Sequence, residues 1–119
     1  MLQHVSIEVP TAEVQRTIEF WRLLGFDRVA PPEAIAEYVT WLEREGTQIH
    51  LIHTDAATVP PLAHAAVVAP DFQARFDALA AAGFEVEESR QLWGKRRAFA
   101  VGPGGHRVEL MEAPPPRSD

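Results

Sequence analysis

The chain of 119 residues contains no cysteine, and that one absence removes a disulfide framework, a cysteine zinc ribbon and a thiol nucleophile together. Any metal would have to be held by His, Asp or Glu. No apolar run approaches the roughly 18 residues of a membrane span. The opening Met1-Leu2-Gln3-His4 also lacks the basic and then apolar regions of a secretory signal. A cytoplasmic location with no membrane partner is therefore expected. Positive charge is scarce as well, with 11 Lys and Arg against 17 Asp and Glu, a net charge of −6 with histidines neutral. Nucleic acid, which needs the opposite field, is not an expected partner. What is present is one domain's length, 46% hydrophobic residues and five histidines, enough apolar matter for a core.

Periodicity divides the chain into two similar halves. Val5, Ile7 and Val9 alternate with Ser6 and Glu8 as in a strand, and Pro10-Thr11 then opens a helix that Thr11 is placed to cap. Val14, Ile18, Trp21 and Leu24 form one helical face, ended by Gly25 in a left-handed cap. Strands are predicted over Phe26–Ala30, Tyr38–Leu42 and Thr47–His53, the last two joined by a hairpin turn at Arg44-Glu45-Gly46. After a connector from Asp55 to Pro61 the order begins again. A strand spans Leu62–Ala69, and Asp71 is the expected N-cap of a helix with the stripe Phe72, Phe76, Leu79 and Ala80 or Ala82, before Gly83-Phe84. Three strands follow near Phe84–Glu88, Arg96–Val101 and His106–Met111, and the tail 113–119, with three consecutive prolines, is expected to be extended or disordered.

The spacing makes this a repeat. Leu2-Gln3-His4-Val5 falls on Leu62-Ala63-His64-Ala65 at an offset of 60, Gly25-Phe26 on Gly83-Phe84 at 58, and Gly46–Leu51 on Gly105–Leu110 at 59. The predicted fold class is α+β: two βαβββ modules, about 2–53 and 62–112, forming one domain with a curved mixed sheet around a cleft. Alternation then sorts side chains by face. His4, Ser6 and Glu8, then Gln48, His50 and Ile52, face the cleft in the first module. His64, Ala66 and Val68, then Arg107, Glu109 and Met111, do so in the second. His4, His50, His64 and Glu109 thus occupy equivalent places, and three imidazoles with one carboxylate in a sheet interior call for a metal or a counter-charge. The alternative is an ionic network in which Glu109 pairs with a protonated His4 or His64. Glu8, on the same face as His4, is a candidate base or an exposed strand-end carboxylate. His53 and His106 are read as solvated or structural, and Lys95-Arg96-Arg97 as a solvated basic run rather than an anion site. Tyr38, Trp41, Trp93 and Phe99 suit cleft walls or core equally.

Together with the paired βαβββ units, the stretches Ile18–Phe26, IEFWRLLGF, and Gly102–Leu110, GPGGHRVEL, resemble the vicinal oxygen chelate superfamily. That superfamily includes glyoxalase I, fosfomycin-resistance proteins, extradiol dioxygenases and bleomycin-resistance proteins. The resemblance spans about residues 2 to 113. It implies that His4, His64 and Glu109 stand at the three positions that metal-using members employ, with His50 at a fourth, variable one. It also implies departures. Glu8 stands where glyoxalase I has a carboxylate-binding arginine, and His50 where it has Glu. The potassium-binding loop of fosfomycin-resistance proteins finds no match. Bleomycin-resistance proteins resemble the Trp93–Phe99 stretch but lack metal ligands at these places.

The expectation is a metal-dependent enzyme, a lyase, isomerase, transferase or dioxygenase. A divalent ion (Zn, Ni, Mn or Fe(II)) on His4, His64 and Glu109, with His50, would chelate two oxygens of a small-molecule substrate and stabilise an enolate or alkoxide, with Glu109 and Glu8 as catalytic carboxylates. The alternative is a non-catalytic drug-binding protein of the bleomycin-resistance type. Pro60-Pro61 in the short connector, with the resemblance to two-module members, further suggests a homodimer with shared sites.

Overall fold

The computed structural model describes residues 1–118 of the chain. They form two compact units, divided between Val59 and Pro60, and the two follow one plan. In the first, strand β1 (His4–Val9) leads through a short 3-10 turn into helix α1 (Val14–Leu23), followed by β2 (Asp27–Val29), β3 (Val39–Arg44) and β4 (Thr47–His53). In the second, β5 (His64–Val68) leads to α2 (Phe72–Ala81), then β6 (Glu85–Ser89), β7 (Arg97–Val101) and β8 (Arg107–Met111). The sheets are ordered β1-β4-β3-β2 and β5-β8-β7-β6. In each the outer pair, β1 with β4 and β5 with β8, is parallel and the others antiparallel. This is the expected α+β fold of two βαβββ modules.

The repeat extends to the helix ends. Gly25 (φ 95°) and Gly83 (φ 86°) both take the left-handed conformation. In the first unit the Phe26 N–H donates to Trp21 O and the Gly25 N–H to Arg22 O. In the second the Phe84 N–H donates to Leu79 O and the Gly83 N–H to Ala80 O. Both are the same pair of bonds closing a helix on glycine. The β3–β4 turn places Glu45 at φ 51° and Gly46 at φ 86°, the two positive values that a two-residue hairpin turn matched to strand twist requires.

Two expected caps are replaced. Thr11 lies in the 3-10 turn Thr11–Glu13, and no side chain caps α1. Instead, the Thr11 N–H donates to Asp55 Oδ1 at 3.1 Å, so an acid 44 residues away satisfies a donor at the start of the helical segment. Asp71 precedes α2 but makes no side-chain cap bond, because its carboxylate takes Arg75 Nε at 3.0 Å. The weak strand expected over Phe26–Ala30 shortens to the three residues of β2, and Ala80 is exposed rather than part of the α2 stripe. The tail from 113 to 118 has no helix or strand, and Asp119 lies outside the described residues.

Alternation assigns one face of each sheet to its helix. In the first unit Arg44 Nη1 reaches the Leu24 carbonyl at the end of α1 (3.3 Å), so α1 lies on the face of Thr40, Leu42, Ile49 and Leu51, all of them buried. In the second the Arg96 guanidinium covers the Phe72 ring of α2 at 4.6 Å while binding Glu88. This puts α2 on the face of Ala98, Ala100, Val108 and Leu110, each at most 1% exposed. Burial of such side chains is worth about 1.5–3 kcal/mol for each large one and pins register, because a one-residue slip would turn the whole set away from the helix. The functional side chains lie on the opposite faces.

Candidate functional site

In the first unit the face away from α1 carries a stack of three rings, one from each of three neighbouring strands. Trp41 on β3 and His50 on β4 are register partners, and their rings are parallel within 3° with centroids 4.2 Å apart. His4 on β1 covers the other face of His50 at 4.0 Å and 15°. The expected approach of His4 and His50 is therefore present, as a stack. An imidazole offers its lone pair in the ring plane, so two near-parallel rings 4.0 Å apart do not aim lone pairs at one ion. His50 Nε2 lies 2.7 Å from Gln48 Oε1, and Gln48 Nε2 donates to Glu43 Oε1 at 2.8 Å. Since a carboxylate only accepts, the amide orientation is set. His50 therefore donates from Nε2, and its Nδ1 is bare when the ring is neutral. Burial, and secondarily the adjacent His4, lowers the His50 pKa. His4 Nδ1 faces Gln3 Oε1 at 2.6 Å, which leaves Nε2 outside that contact.

The second unit joins the other two candidates. His64 Nδ1 lies 3.0 Å from the Leu62 carbonyl. A carbonyl only accepts, so Nδ1 carries a hydrogen, and Nε2 is bare only in the neutral form of the ring. That Nε2 lies 3.3 Å from Glu109 Oε1. A lone pair facing a carboxylate oxygen is repulsive unless positive charge, a proton or a metal ion, lies between them. Glu109 is 8% exposed, and its other oxygen, Oε2, accepts from Arg97 Nε at 3.0 Å.

Arg97 was not apparent from the sequence as part of this group, and the reading of Lys95-Arg96-Arg97 as a solvated run is corrected. The Arg97 side chain is 12% exposed and pairs with Glu109, and Arg96 binds Glu88 through both Nε and Nη2. The signal was the alternation of Arg97, Phe99 and Val101, which puts Arg97 on the face of Glu109 once the register is known. Phe99 also lies on this face, with His64 edge-on at 5.1 Å and the guanidinium groups of Arg97 and Arg107 at 5.2 and 4.4 Å.

The remaining candidates lie elsewhere. Glu8 Oε1 accepts from the Thr58 N–H at 2.7 Å and so ties the connector to β1. His53 Nε2 is bonded to Thr40 Oγ1 at 2.8 Å on the helix face, as a structural residue. Trp93 donates to the Ala113 carbonyl at 3.0 Å, and Tyr38 is 60% exposed. Among the described residues no group of three or more His, Asp or Glu is gathered in a metal-holding arrangement. No helix is long and apolar enough to cross a membrane.

Comparison with known proteins gives a consistent answer. No curated protein matches the chain. Solved structures do, among them a Bacillus anthracis protein assigned to the glyoxalase family, with TM-score 0.81 and 20% identity over 93% of both chains. The bleomycin resistance determinant encoded on transposon Tn5 matches with TM-score 0.63 and 18% identity over 91% of this chain and 95% of its own. The genomically encoded fosfomycin resistance protein of Listeria monocytogenes matches with TM-score 0.71 and 15% identity over 92% and 90%. At such identities the likeness shows the fold. The family is shown by a sequence model that matches residues 2–110, nearly the whole repeat: the chain belongs to the glyoxalase/bleomycin resistance protein/dioxygenase superfamily.

Proposed function

We propose that the protein is a metal-dependent enzyme of the glyoxalase/dioxygenase type, acting on a small molecule that presents two oxygens. His4, His64 and Glu109 are the proposed ligands of a divalent ion, Zn, Ni, Mn or Fe(II). The observation that carries this reading is the placing of His64 Nε2 3.3 Å from Glu109 Oε1. Donors bound 2.0–2.1 Å from a tetrahedral ion are themselves about 3.3 Å apart, and a ligating histidine commonly donates its other N–H to a carbonyl, as His64 does to Leu62. When bound, such an ion supplies Lewis acidity toward negative charge developing on substrate oxygen.

The chain's own groups have distinct parts. Arg97 holds Glu109 Oε2 and so orients Oε1 toward His64. Glu109 is also the carboxylate proposed to accept a substrate proton. His50, neutral and stacked, supports the His4 ring without adding charge, and in this reading it is a support rather than a fourth ligand. Glu8 serves as a tether of the connector rather than as a base.

A second reading, a non-catalytic small-molecule binder of the bleomycin-resistance type, is favoured by one observation: Arg97 already neutralises Glu109, which weakens the need for a metal. Metal analysis of protein purified without a histidine tag separates the two. The metal reading expects bound divalent ion and a fall in Tm on chelation, since ion at 100 times its Kd adds about 2.7 kcal/mol. His64→Ala and Glu109→Gln should lose the ion while remaining folded, and His53→Ala should keep it. Protein without metal, whose Tm is unmoved by Zn, Ni, Mn or Fe(II), would establish the binding-module reading instead.

A further inference from the structure

The second unit holds an arginine that forms no ion pair among the described residues. Arg107 is half-buried on β8, two residues before Glu109 and in register beside His64 of β5. The other half-buried arginines each donate to oxygen: Arg16 to Glu19, Arg44 to the Leu24 carbonyl, Arg75 to Asp71, Arg96 to Glu88 and Arg97 to Glu109. Among the described residues Arg107 alone of this set has no such partner, and its guanidinium lies 4.4 Å from the centroid of the Phe99 ring. The protein carries six more Asp and Glu than Lys and Arg, so a shortage of acids does not explain this.

We infer that Arg107, seated on Phe99, binds an oxyanion of carboxylate or phosphate type beside the His64–Glu109 pair. A guanidinium donates in its own plane, so packing over a ring supports the group while leaving its in-plane fork to meet two oxygens of one anion. The carboxylates of this face are accounted for. Glu109 is engaged by Arg97 and His64. Glu87, the β6 register partner of Phe99, and Glu85 are exposed and form no ion pair with Arg107. The two half-buried arginines of this face, Arg97 and Arg107, thus outnumber its one buried carboxylate. His64, the register partner of Arg107, lies one strand spacing away, about 5 Å, and Glu109, two residues along β8 on the same face, about 7 Å, so a molecule anchored at Arg107 by its anionic end extends toward both. This extends the proposed function in one respect, the substrate class: a small acid whose remaining oxygens lie close to its anionic group. Anion binding itself requires no metal.

The test is an NMR titration of the metal-free full chain with sodium acetate and with inorganic phosphate, against neutral acetamide, at constant ionic strength. Because no metal is present, failure here and failure of the metal reading are separable. Saturable shifts at Arg107, Phe99 and His64 with at least one anion and none with acetamide are expected, and the tighter of the two anions names the oxyanion class. Arg107→Gln should weaken binding at least tenfold, whereas Arg96→Gln, on the helix face, should leave it within twofold. If Arg107→Gln does not fold, Arg107→Lys decides. This variant keeps the charge but not the fork, and should bind at least threefold more weakly. Shifts that rise linearly without saturation for both anions, or an unchanged affinity in the deciding variant, would overturn the assignment.

Discussion

Removing Arg97 tests how Glu109 is aimed and what the pair contributes to stability. The two side chains are 12% and 10% exposed, and Nε lies 3.0 Å from Oε2, which puts the charge centres about 4 Å apart. At an effective dielectric constant of about 20 the gross attraction is about 4 kcal/mol, and desolvation of both groups offsets part of it. Arg97→Gln leaves a buried carboxylate facing only His64, and should cost about 3 kcal/mol. Glu109→Gln strands the guanidinium instead and should cost a similar amount. The double variant Arg97→Gln/Glu109→Gln leaves no uncompensated charge, and should cost about 3–4 kcal/mol rather than 6, a coupling of about 2–3 kcal/mol. Urea unfolding of the metal-free protein at pH 7 measures all four corners of the cycle. Thermal melts should show each single variant about 10–15 °C below the parent. A coupling under about 0.5 kcal/mol would refute the reasoning, since it would mean that the pair behaves as an exposed one. Where a metal is bound, Arg97→Gln should also weaken its retention, because the carboxylate loses the group that orients it.

Other perturbations address separate parts of the chain. Trp21 is 2% exposed and its Nε1 is buried without an acceptor among the described residues, so Trp21→Phe, which removes both that donor and some volume, should change unfolding free energy by less than about 1.5 kcal/mol, against about 3–5 for Trp21→Ala. Gly46→Ala should cost about 1–2 kcal/mol in the same assay: the position has φ +86° and nothing within 4 Å of an added Cβ, so the penalty is purely one of backbone conformation. If the ligands of one ion come from two copies of the chain, as the proposed homodimer has it, mixing His4→Ala with Glu109→Gln should restore one metal site per heterodimer. Verified heterodimers that bind none would exclude sharing.

The sequence by itself carried the repeat and most of the fold. Strand alternation has a period of two and helix burial a period of 3.6, so the faces of His4, His50, His64 and Glu109 followed from their apolar neighbours without any knowledge of pairing. Glycine at the two helix ends was equally legible, because Gly25 and Gly83 must take a conformation that other residues resist. What the tertiary structure decided was the partner of each polar group. A hydrogen bond depends on distance and direction in space, and hydropathy carries neither. Thus the donor at Thr11 is satisfied by Asp55 and not by a local cap. Asp71 turns to Arg75, and Arg97, which looked like a member of a solvated run, is the ion-pair partner of Glu109. Likewise the sequence could bring His4 and His50 to one face, but only the register of β1, β4 and β3 stacks them on Trp41 and turns their lone pairs along parallel planes. Residue type set which atoms are able to ligate, donate or carry charge, and the packing of strands side by side set which of them meet.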